Sequence, residues 1–255
     1  MKNLFAALFF SAAVLAVAQN ASDIVERSRN RIQAETTSSM MQMQITARGG
    51  AVTNRTMIQY SKDDANGNSR SVIEFGEPAS IRGTRFLTIQ NADRANDQWI
   101  FLPSLPRVRR IAAQEGSSSF VGTDFSYDDI ASADRKTNLD NHRLLREEIL
   151  RGRNCYVIES IPIDTSYQYS KMIQWIDREN YVNYQVELYD RRGNQVKLLE
   201  VLELREEQGR LSPIVTRMTT LATGSSTSLN VVNLRYDANI PETVFTTNYL
   251  ETGRP

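Results

Sequence analysis

The run from Tyr181 to Glu206, YVNYQVELYDRRGNQVKLLEVLELRE, decides the fold class. Its first part alternates cleanly, with Tyr184, Val186 and Leu188 on one side, the period-two signature of a half-buried strand. Asp190 to Asn194 then supplies a turn with Gly193 in the left-handed position. Gln195 to Glu206 returns with apolar residues on both faces, Val196, Leu198, Leu202 and Leu204 against Leu199 and Val201, so it needs cover on each side. A long antiparallel hairpin is the reading.

Outward from this hairpin the signals stay β. Cys155–Ile161 is a strand ended by Pro162, Lys171–Ile176 is another, and Ile214–Leu221 and Leu229–Tyr236 follow. Upstream, Met41, Met43 and Ile45 alternate with polar neighbours, as do Thr56, Ile58 and Tyr60. Asn66-Gly67 offers a hairpin turn before the strand Ser71–Phe75. Thr84–Ile89 and Gln98–Leu102 complete the first half. Asp140–Ile149 fits a helical face through Leu144, Leu145 and Ile149, but its neighbours favour a strand. Ser22–Arg27 starts a short amphipathic helix, with Asp23 as cap and Glu26 reaching back. The predicted architecture is mainly β: a single strongly curved antiparallel sheet, an incomplete barrel of roughly ten or eleven strands, with an N-terminal helix and loops or short helices over its concave face.

One stretch breaks the pattern: WIFLPSLPRVRRIAAQEGSSSFVGTDFSYDDI, Trp99 to Ile130. It begins as a strand, is stopped by Pro103, and then carries Arg107, Arg109 and Arg110 before an aromatic, acidic tail. A connection this long reads as a working loop or lid over the sheet. Phe86, Trp99, Phe101, Phe120, Phe125, Tyr127 and Trp175 lie on or beside the central strands and this loop. Each is an ordinary core residue, and as a group they are candidates to line an apolar pocket. The three arginines are candidates for a lid or an anionic headgroup, against the plainer reading of charges guarding a sheet edge.

Composition narrows the function classes. Basic and acidic residues balance at 30 each, so nothing global favours nucleic acid. His142 is the one histidine and Cys155 the one cysteine, which leaves no zinc set and no disulfide. No G-x-S-x-G or S-x-x-K motif stands in the chain, so neither catalysis nor a cofactor is expected. His142 reads as a surface residue, and Cys155 as a small buried one. Asp124, Asp128 and Asp129 lack calcium-loop spacing, and Asp124 and Asp128 read as turn-capping residues.

Residues 1–18 read as a cleaved export signal: Lys2, an apolar run from Leu4 to Val17, and Ala16-Val17-Ala18 before Gln19. No cysteine stands there for lipid attachment. Residues 19–255 are expected to form one exported, monomeric domain.

GTRFL (Gly83–Leu87), DQWIFLPSLPRVRRI (Asp97–Ile111) and FVGTDFSYDDI (Phe120–Ile130) together resemble the outer-membrane lipoprotein-sorting protein family of the LolA/LolB-like superfamily. The resemblance implies a half-open barrel whose hydrophobic cavity binds acyl chains in the periplasm. It further implies a lid arginine, for which Arg107, Arg109 and Arg110 are the candidates. By the same resemblance, the protein is a periplasmic carrier of a lipoprotein or lipid between membranes, with an inner-membrane transporter and an outer-membrane acceptor as partners. The alternative is an RseB-like regulatory sensor binding a protein or lipid signal.

Overall fold

The computed structural model describes residues 20–64, 67–91, 94–132 and 135–255. The expected export signal lies outside them, as does Asn66 of the expected hairpin turn.

Helix α1 (Ala21–Arg29) leads into six strands: β1 (Thr36–Thr46), β2 (Val52–Asp63), β3 (Ser69–Glu77), β4 (Arg85–Ile89), β5 (Asp97–Leu102) and β6 (Leu105–Arg110). After a long connection carrying helix α2 (Tyr127–Ala131) come β7 (Asp140–Leu150), β8 (Arg153–Pro162), β9 (Lys171–Asp177), β10 (Asn183–Tyr189), β11 (Gln195–Glu207), β12 (Arg210–Thr220) and β13 (Ser225–Tyr236). Helix α3 (Thr247–Thr252) closes the chain. The strands form one antiparallel sheet of 13, in the order β6-β5-β4-β3-β2-β1-β13-β12-β11-β10-β9-β8-β7.

The expected ten or eleven strands become 13, and the gain includes β6. In sequence, Pro103 and Pro106 give this segment the character of a loop. In fact Pro103-Ser104 is the turn between β5 and β6, and Trp99, Ile100 and Phe101 pair with Arg110, Arg109 and Val108. Pro106 is tolerated because β6 is an edge strand, where a missing N–H need not break a ladder. Asp140–Leu150 is strand throughout, with a bulge between Leu144 and Arg146 that upsets its alternation. Bulges between Val201 and Leu204 likewise break the alternation in the second half of β11. The helix starts one turn earlier than its expected cap: Asn20 accepts from the Ser22 amide at 3.2 Å. Glu26 instead accepts from the side chains of Asn30 and Thr137.

Topology dictates what fills the curve. Two meanders, β1–β6 and β7–β13, meet through the β1–β13 pair, which leaves β6 and β7 at opposite edges. The connection between them must therefore cross the sheet, and its described residues 111–132 do so on the concave side. There it meets the inward residues of the strands. In β1, Met41 and Met43 are buried while Gln42 and Gln44 are exposed, the alternation of a sheet with one covered face. The interior cluster unites Met41, Met43, Met57, Phe75 and Phe86 with Phe120 and Phe125 of the crossing segment and with Met172, Leu188 and Met218 of the second meander.

The convex face has its own cover. Val244, Phe245, Tyr249 and Leu250, from the chain end, pack on Val72, Leu87 and Phe101. Arg85 locks this layer, donating to the Leu250 carbonyl at 3.0 Å and pairing with Glu74 at 3.1 Å.

Candidate functional site

The crossing segment forms a plug in one half of the barrel. Ser119 and Ser126 bridge, the Phe120 amide donates to the Phe125 carbonyl at 2.8 Å, and the loop tip turns through Val121 (φ 49°) and Gly122 (φ 75°). Positive φ suits Gly122 but strains a β-branched valine. Arg55 donates to the Val121 carbonyl at 2.6 Å, which holds the tip in place. Phe120 sits against Phe75, Phe86 and Tyr127, with ring centroids 5.8, 5.1 and 5.5 Å away. Such edge and tilted contacts add about 0.5–1.5 kcal/mol each beyond simple burial.

The plug is tied to both walls. Asp124, 7% exposed, accepts from the hydroxyls of Thr220 and Thr227 at 2.7 Å and of Ser225 at 2.5 Å, while its amide donates back to Thr227. On the other wall Gln98 donates to Asp128 at 3.1 Å. Burial pushes the Asp128 carboxyl up, and neighbouring Asp129 adds to the rise. Asp129 receives Lys197 at 2.7 Å, the Tyr169 hydroxyl at 2.8 Å and the Ser126 amide at 2.7 Å. Neither Asp124 nor Asp128 caps a turn as expected, since both accept from strand side chains; it is Asp129 that takes the Ser126 amide at the start of α2. Asp124 is a tether between plug and sheet.

Between the plug and α1 lies a cavity of about 500 Å³. Its strand floor is apolar, built from Met57, Ile73, Met172, Val186, Leu188, Leu199, Met218 and Leu229, with Phe125 facing it from the plug. Gln59, Gln174, Asn183 and Thr216 are the polar interruptions. The charged lining residues come instead from the covering side, Arg29 and Arg31 at the end of α1 and Asp129, Arg135, Lys136 and Asp140 from the crossing segment and the start of β7, where His142 joins them.

These cover groups are ordered. Arg135 grips Asp140 through the Nε–Nη2 edge of its guanidinium, with contacts of 2.8–3.1 Å, and stacks 4.1 Å from the Tyr167 ring centroid. Burial pushes the Tyr167 phenol up to about 12. His142 is half-buried in the wall rather than on the outer surface: Nε2 meets the Thr137 carbonyl at 2.9 Å and Nδ1 the Ser160 hydroxyl at 2.7 Å. A carbonyl only accepts, so Nε2 carries the proton and Nδ1 accepts from Ser160. Both nitrogens are engaged in holding the cover to β8. Among the described residues no group of three or more His, Cys, Asp or Glu side chains is placed to hold a metal ion.

The sequence candidates scatter over three places. Phe125 lines the cavity. Phe120 and Tyr127 of the plug stack beside it on Phe86 of β4. Trp99 and Phe101 lie on the convex face under the chain end, because strand parity sends Ile100 inward and its neighbours outward. Trp175 is also on the outer face, with Cys155, Val157 and Ile173, and its indole N–H donates to Glu148. Arg107, Arg109 and Arg110 are exposed on edge strand β6; Arg109 pairs with Glu115 at 2.7 Å and Arg110 with Asp97. None of the three borders the cavity, and the charged cover is provided by residues 29–31 and 129–142. What sequence reasoning missed was the inward set of β9–β13. The alternation at Val186 and Leu188 marked that face, but nothing local said which face was concave.

A large half-open antiparallel barrel, with a helix and a tethered plug enclosing an interior cavity, defines the class. A family model described as "Uncharacterized protein" matches residues 67–252. A DUF1329 family protein from Desulfovibrio piger is 28% identical, with a TM-score of 0.86 over 90% of this chain and 97% of the other. A domain assigned to outer membrane lipoprotein sorting from Vibrio parahaemolyticus is likewise 28% identical, at 0.86 over 91% and 98%. A LolA superfamily protein from Nitrosomonas europaea, 24% identical at 0.72 over 90% and 98%, shares the fold. No curated protein matches the sequence. The chain belongs to the family of that model, matched over residues 67–252, and shares its fold with the lipoprotein-sorting domain and the LolA superfamily protein.

Proposed function

We propose that the protein is a periplasmic carrier that shelters an acyl chain of a lipid or lipoprotein in this cavity for transfer between membranes, without catalysing a reaction. One observation carries the reading: an interior cavity of about 500 Å³ on an apolar strand floor, inside a fold shared with lipoprotein-sorting proteins. Ligand cavities run to about 300–1,000 Å³ with mostly apolar walls and a few placed polar groups, and this one has that character. A transporter in the inner membrane would then load a monomeric carrier, and an outer-membrane component would accept the cargo. Among the described residues no helix is long and apolar enough to cross a membrane.

The test is native mass spectrometry of protein purified without detergent, followed by organic extraction of whatever is bound. A co-purified phospholipid or acylated peptide supports the carrier. A mass that stays clean after incubation with envelope lipids overturns it.

A further inference from the structure

The charges of the cavity are unevenly compensated. Asp129 is answered by Lys197, which sits just outside the lining set, and Asp140 by Arg135. Arg31 and Lys136 are the contrast. Arg31 donates to the Leu211 carbonyl, and Lys136 to the neutral Asn68 side chain at 2.6 Å. Among the described residues neither has a carboxylate within salt-bridge distance. Burial pulls the Arg31 guanidinium down from its usual range, the direction expected where desolvation is not offset by an opposing charge.

Leaving two cations in a cavity wall without carboxylates is costly in an unliganded protein unless the site is completed by an anion. Arg in particular presents a planar fork of donors matched to phosphate and carboxylate oxygens. The geometry also separates the two chemistries: floor apolar, cover cationic. We infer that the cavity takes an amphiphile with an anionic head, its acyl chain on the strand floor and its phosphate or carboxylate received by Arg31 and Lys136. This rests on the acyl-binding reading and adds the class of headgroup. It also moves the headgroup contact from the β6 arginines, which are exposed at the sheet edge, to the cavity cover.

The test compares two ligands that differ only in the anion: monomyristoylglycerol and its phosphate, titrated calorimetrically into delipidated protein, with myristate and inorganic phosphate as further arms. The phosphate ester is expected to bind about ten- to a hundredfold tighter than the neutral glyceride, the range for one net charge-assisted hydrogen bond. Arg31→Gln and, independently, Lys136→Met should bring that ratio towards one. Arg107→Gln should leave it intact. Equal affinity for both ligands overturns the anionic-head assignment while the carrier reading stands. Failure of every acylated ligand to bind overturns both. Tight binding of inorganic phosphate alone, with no gain from the acyl chain, identifies a free-anion site and likewise overturns the assignment of an amphiphile.

Discussion

Replacing Asp124 by Ala tests whether the plug is held as the structure shows. The carboxylate accepts three hydroxyl donors, two from β12–β13 strand residues that line one wall and one from the turn side of β13. A hydrogen bond to a charged group contributes about 1.5–3 kcal/mol net, and a buried partner left unsatisfied costs about 1–3 kcal/mol. The three bonds are not additive, since Thr220 and Ser225 are half-buried and can turn to water. Thr227, fully buried at 0% exposure, cannot. The expected loss for Asp124→Ala is therefore about 3–5 kcal/mol. That is a large share of a domain stability of about 5–15 kcal/mol. Asp124→Asn keeps one acceptor and should lose about half as much. Urea unfolding gives the total, and amide exchange locates it, with protection of residues 120–129 falling first. A variant within about 0.5 kcal/mol of the parent, the level of an ordinary surface change, refutes the tether.

Three further outcomes are expected. Phe101→Ala should cost about 3–5 kcal/mol by opening a hole under the chain-end layer, yet leave affinity for acylated ligands unchanged, since Phe101 lies on the convex face; a parallel titration and unfolding curve separates the two effects. Asp128→Asn should raise the urea midpoint at neutral pH. Burial raises the folded carboxyl above its ordinary 3.8, so its charge costs stability as pH climbs through that window, and the advantage of Asn should vanish well below pH 3.8. Asp97 behaves in the opposite sense: Arg94 foremost, then Asn91 and Arg110, hold its carboxyl down against burial. The stability it provides is present above its ordinary value and lost as pH falls through the folded one, so Asp97→Asn should weaken the fold by about 1–2 kcal/mol at pH 7, the Arg partners being half in water, and flatten the acid limb of the stability–pH curve.

The placement of the candidate residues follows a simple division. Alternation along a strand needs only neighbours one and two positions away, so the strands carrying Met41, Met43, Val186 and Leu188 were legible, as was the curved antiparallel sheet they imply. The family stretch from Gly83 to Ile130 was legible too, being a local match. Exceptions arose where a local cue had two tertiary meanings. Pro106 marks a loop in most settings but is harmless on an edge strand, and β6 is an edge only because the β1–β13 pair joins the two meanders. The same pairing puts β6 and β7 at opposite edges, so the segment between them has to cross the sheet.

Sequence alone thus determined the β class, the short N-terminal helix, the family and the importance of the crossing segment, because each rests on interactions close in the chain. Only tertiary structure decided which face of each strand turns inward. Trp99, Phe101 and Trp175 are as apolar as Phe125, but a one-residue change of parity sends them to the opposite side of the sheet. It also decided which cations meet the cavity. Arg31 and Lys136 are separated by about a hundred residues of chain and share a wall because α1 and the crossing segment cover the same opening.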